Sequence, residues 1–194
     1  MSKLILCEDF HFFSNPETEE EKVWEQRFYD AVDSETVRGA VLNITSFIDE
    51  LLIKVLGSYF PNHSHASKLL NSMDGCMSSI MDRANVAFSS SLLREREFNA
   101  IKIIARIRNE FAHKWDNSDF ESEPVTKLIR KFPSYYFDLL EGTNRAKFNF
   151  VSSQIIQRLL KRHVHSAQLN ALLPKEYTDI DDLPLEERRK ITSI

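Results

Sequence analysis

Three residues in the middle of the chain have the types and spacing to do chemistry: Arg108, Asn109 and His113, within Ile107-Arg108-Asn109-Glu110-Phe111-Ala112-His113. An arginine can steady the charge of a phosphorane-like transition state, and a histidine can move a proton near neutral pH. An asparagine beside them can orient a substrate. Five residues on a helix correspond to about 140° of rotation, so Arg108 and His113 do not share a face of one helix. They meet only across a dimer, or if the helix ends between them. The plainer reading has Arg108 bonding nearby carbonyls or acids, with His113 at a helix C-terminus that favours its cation.

The segment that must position them is Glu95–His113. Its apolar residues fall at Phe98, Ile101, Ile104, Ala105, Ile107, Phe111 and Ala112, a helical period with one wide apolar face. The strongest period lies earlier. Val37, Val41, Ile44, Ile48, Leu51 and Val55 alternate four and three without a slip, and Phe47, Leu52 and Leu56 widen the stripe. That pattern predicts a central helix covered on more than one side, with Ser34 as its N-cap and Gly57 and Pro61 as its stop. Further helices are expected over Glu17–Val32, Ala66–Ser72, Cys76–Ser90, Pro124–Lys131 and Arg145–His165. With 4 glycines and 6 prolines in 194 residues, few breakers interrupt these runs. The expected fold is all-α: a single helical bundle with four to five long helices over residues 17–165. An aromatic N-terminal arm, 1–16, and a polar tail, 166–194, flank it.

Composition narrows the function. A formal net charge of −4 disfavours non-specific duplex binding, because phosphate contacts need a basic surface. It leaves room for a basic protein partner drawn in by electrostatic steering. Arg158, Lys161, Arg162 and His163 complement a helix C-terminus, and a basic nucleic-acid patch is the sharper alternative. Cys7 and Cys76 have no metal-binding spacing, and His63 and His65 lack a third ligand, so no metal or other cofactor is expected. Paired carboxylates such as Asp49-Glu50 read as structural. No run reaches the ~20 apolar residues of a membrane span, and the leader is too short for a signal peptide, which places the chain in the cytoplasm. Candidate partner contacts are Phe10, Phe12 and Phe13 in the arm and Trp115, Asp116 and Asp119 in the turn after His113.

Taken in order, Val37-Arg38-Gly39, Asp49-Glu50-Leu51-Leu52, the Gly75 loop, Ile107–His113, Asp119-Phe120 and a closing Phe-rich helix resemble the mannitol operon repressor family over about Ser34–His163. That resemblance implies an all-helical, non-enzymatic regulator that acts by protein contact, without direct reading of DNA. The loop after Asp74-Gly75 lacks the glycine-rich Gly-Pro-Leu-Gly type of sequence, and the aromatic leader and acidic tail lie outside the pattern. A related expectation is an immunity protein that neutralises a basic toxin nuclease. Through Arg108, Asn109 and His113 the chain also resembles HEPN domains. This implies the alternative, a metal-independent ribonuclease whose composite site needs a homodimer.

Overall fold

The computed structural model describes residues 4–10, 18–71, 75–113, 119–134, 137, 140–173 and 179–192. Among them run eight α-helices: α1 (Glu19–Asp33), α2 (Val37–Tyr59), α3 (His63–Asn71), α4 (Ile80–Ser89), α5 (Glu95–His113), α6 (Glu123–Ile129), α7 (Asn144–Asn170) and α8 (Leu185–Thr192). A two-residue strand, β1 (Leu4–Ile5), pairs in parallel with β2 (Leu140–Glu141), placing Leu4 opposite Leu140. The all-α bundle expected from periodicity is therefore the fold. Phe12 and Phe13, together with Trp115 and Asp116, lie outside the described residues.

Helix α2 is the axis. Val41, Ile44, Phe47, Ile48, Leu51, Leu52, Val55 and Leu56 are all buried, so its apolar stripe spreads over more than one face. It packs against α1, α3, α4, α5 and α7, with α7 as its main neighbour. Burial of these stripes against one another is what stabilises the helices, since short isolated helices are marginal in water. Helix α5 turns Ile101, Ile104, Ala105, Ile107 and Phe111 inward, as its period predicts, together with Ala100 and Ile103. Phe111, Phe120 and Phe148 form a buried aromatic run, with centroids 5.1 and 5.4 Å apart.

Several boundaries differ from expectation for identifiable reasons. Ser34 does not cap α2; it closes α1, and Thr36 caps α2 by accepting from the Gly39 N–H at 3.1 Å. Gly57 lies inside α2, which runs on to Tyr59 with Phe60 as its C-cap. Pro61 is the effective stop, because the residue before a proline is driven to extended backbone, and Phe60 has ψ 132°. His63 and His65, between the expected helices, lie in the first turn of α3, and His63 Nδ1 lies 3.0 Å from the Gly57 carbonyl. Helix α7 runs five residues past His165 into the segment read as tail. Buried Ser166 and the bond from Asn170 Nδ2 to the Tyr59 carbonyl, 2.8 Å, hold that extension on the body.

Two partly buried ion pairs tie the bundle laterally. Arg83 of α4 grips both oxygens of Asp49 on α2, at 2.6 and 2.7 Å, and its other Nη donates to the Leu70 carbonyl at the end of α3. Asp49 thus has the structural role read for it. Arg162 of α7 meets Glu97 of α5 at 3.0 Å and also donates to the Leu92 carbonyl.

Candidate functional site

The three residues with suggestive chemistry all lie at the C-terminal end of α5 and all are exposed. Their arrangement follows from helix geometry. Asn109 and His113 are one turn apart and share the outer face, which also carries Asn99, Lys102 and Arg106. Arg108 points elsewhere, and its Nη1 donates to Asn109 Oδ1 at 3.2 Å. Within one chain, then, Arg108 is coupled to Asn109, while His113 stands at the last residue of the helix. Glu110, between them, is half-buried.

The end of α5 is fixed in place by α2. Arg38, in the first turn of α2, donates from Nη2 to the Ala112 carbonyl at 2.8 Å. That carbonyl is one of the last in α5 and has no partner within the helix, so a cation there satisfies it and complements the dipole. The start of α2 and the end of α5 therefore occupy one end of the bundle.

A recess of about 220 Å³ opens at the start of α2. Its floor is apolar, made by Phe10, Val32, Val37, Ala40, Val41, Ile44 and Phe120. Asp9, Asp33 and Glu35 stand around it with Arg145 and Asn149. Each comes from a different part of the chain. Asp9 follows β1, Asp33 ends α1, Glu35 precedes α2, and Arg145 and Asn149 lie in the first turns of α7.

Local structure explains how these groups are held. Asn149 is only 7% exposed, and its Nδ2 donates to the Glu8 carbonyl at 2.7 Å, which pins the arm to α7. Leu6 continues the β1 pairing through its N–H to the Glu141 carbonyl at 2.7 Å. Gly142 allows that approach, because a Cβ there would sit 2.9 Å from Leu6 Cβ. The Glu35 carboxylate lies over Gly39, where an added Cβ would fall 2.1 Å from its Oε2. Gly39 thus leaves room for the Glu35 side chain over the first turn of α2.

The sequence-predicted partner contacts fall in different environments. Phe10 is 3% exposed and packs 5.1 Å from the Phe28 ring, so it contributes to the recess floor from within the core. In this conformation it packs on the helical body and offers almost no surface of its own to a partner. Asp119 is exposed and shapes the turn before α6: its Oδ1 accepts from the Glu121 N–H at 2.9 Å. Arg158, Lys161, Arg162 and His163 lie inside α7 and not in its last turn, which carries no basic residue, so they do not complement its C-terminus; Arg162 is committed to Glu97, and His163 Nδ1 lies 2.6 Å from the Leu160 carbonyl. Asp33, Glu35, Arg145 and Asn149 carried no signal as a group, because only the fold brings them together.

Among the described residues, no cluster of three or more His, Cys, Asp or Glu is placed to hold a metal ion, and no helix is long and apolar enough to cross a membrane. No protein-family model matches the chain, and no curated protein or solved structure matches it either.

Proposed function

We propose that this chain is a non-enzymatic binding body that regulates another protein by contact. Its role is that of a mannitol-repressor-like regulator or of an immunity protein for a basic toxin nuclease. The observation that carries this reading is the end of the bundle where α2 begins. There an apolar-floored recess is bordered by three carboxylates, from the arm, α1 and the α1–α2 connection, against one cation, Arg145, and helical packing holds its walls. Such a surface suits recognition of a partner with basic side chains, and steering by opposite charge accelerates that encounter. Neighbouring genes separate the two roles: sugar-transport genes favour the regulator, and a large toxin gene directly upstream favours the immunity protein.

A specific observation keeps the ribonuclease reading as the second. Asn109 and His113 face solvent one turn apart, and Arg108 is exposed beside them. Two copies facing one another at α5 would have arginine and histidine from both chains for acid–base work on RNA.

One experiment separates the readings. Arg108→Ala and His113→Ala are expected to leave cellular RNA, growth and recovery of the protein partner as in the wild type. The measurement is affinity purification from the native cell alongside a total-RNA profile. Stabilised RNA and altered growth in both variants, with no partner protein recovered, would sink the binding reading in favour of the second.

A further inference from the structure

We infer that the recess at the start of α2 receives the side chain of an arginine or lysine from a basic polypeptide. This inference rests on the protein-binding reading and adds the surface and the chemistry of the partner's contact. The recess volume, about 220 Å³, is more than ten times the ~10–15 Å³ that admits a single water. It therefore has room for a long side chain, not merely an ion.

The lining matches both parts of such a side chain. Val37, Ala40 and Ile44 offer an apolar surface for the methylene stem, which long cationic side chains cover while their heads stay polar. Asp9, Asp33 and Glu35 supply three negative charges for the head, and Arg145 supplies one positive charge. The N-termini of α2 and α7 also open toward this region, each equivalent to about half a positive charge. The C-terminus of α1, at Asp33, adds about half a negative charge, so a net negative balance of about one and a half charges remains for an incoming cation.

A guanidinium or ammonium head would donate to the carboxylates, and hydrogen bonds between ionised partners are about twice as strong as neutral ones. Asn149 holds the arm side of the recess in place: its side chain is buried, and its amide nitrogen donates to the Glu8 carbonyl.

The test uses the full chain and a fluorescently labelled oligoarginine peptide, with binding followed by anisotropy at low and physiological salt. Asp33→Asn combined with Glu35→Gln is expected to weaken binding about tenfold or more, because it removes charged hydrogen-bond acceptors. The control, Glu186→Gln with Glu187→Gln on exposed α8, makes the same change in net charge far along the chain and is expected to leave affinity unchanged. Should the double recess variant misfold, Gly39→Ala carries the test. Alanine is favoured over glycine within a helix by about 1 kcal/mol, and the new Cβ meets the carboxylate end of Glu35 and lies 3.0 Å from its Cβ, so the whole Glu35 side chain must swing aside and weakened binding is expected with the fold retained. Equal loss in the recess and α8 variants would overturn the inference, since attraction would then be non-specific. Absence of wild-type binding would overturn it too. The protein-binding reading would then still be judged separately, by recovery of a partner from the native cell.

Discussion

Truncating Phe111 to alanine is expected to lower the unfolding free energy by about 3–5 kcal/mol. The side chain has no exposed surface, and its ring packs 5.1 Å from Phe120, which in turn packs 5.4 Å from Phe148. Removing it forfeits the transfer of a large apolar group and leaves a cavity in an interior packed as densely as an organic crystal. Neighbours on α2, α6 and α7 relax only partly into such a gap. For a chain of this size the loss corresponds to a fall in midpoint temperature of roughly 6–20 °C. Urea unfolding followed by circular dichroism checks this, with a lower midpoint and an unchanged slope. A functional consequence follows, because Phe120 is also a wall of the recess. Phe111→Ala should therefore weaken partner binding at temperatures where the bundle is still folded, whereas Phe111→Leu should retain much of both properties. A change in stability below about 1 kcal/mol would mean that the aromatic run is not the packed core described here.

Replacing Glu97 by alanine is expected to cost about 3 kcal/mol, near the lower end of the range for breaking a buried ion pair. Glu97 is 2% exposed, and it has two structural roles. It reaches back to the Arg94 N–H at 2.8 Å, capping the first turn of α5, and it receives Arg162 from α7 at 3.0 Å. Alanine leaves an arginine with 19% side-chain exposure without its carboxylate. It also leaves an orphaned N–H at the start of α5. The Leu92 carbonyl still accepts from Arg162, which limits the loss. Glu97→Gln keeps the cap and one hydrogen bond, so it should lie between alanine and the wild type. Replacing both partners by apolar residues of similar volume should recover most of the stability, because the pair contributes little beyond compensating its own desolvation. The double-mutant cycle measures this directly: additive losses would show that the two side chains do not interact.

Much of the architecture was legible because helical burial is periodic. The stripe from Val41 to Val55 and the inward face of α5 are both buried as their spacing predicts. What escaped the pattern was charge in the interior. Nothing in the spacing marks Glu97, Arg83 and Arg162 as paired inside the bundle, since a charged side chain is buried only when its partner is at hand, and those partners lie 34 and 65 residues away. Arg162 in particular looked like a dipole-complementing cation and instead bonds across to α5. The recess was invisible for a similar reason. Asp9, Asp33, Glu35, Arg145 and Asn149 are scattered over the chain and gain meaning only from the arm crossing α7 beside the start of α2. Local backbone chemistry misled at Ser34 and Gly57. Thr36 competes as a cap two residues on, and a single glycine within a well-packed helix costs too little to stop it.

The central claim is that the end of the bundle where α2 begins docks a basic protein. Its most direct test is quantitative affinity purification from the native cell, comparing the full chain with the Asp33→Asn, Glu35→Gln variant. One basic protein should accompany the wild type in near-equal amount and be lost from the variant, while both chains unfold at similar temperatures. Equal retention of that protein by both, or recovery of RNA with no protein partner, would contradict the account.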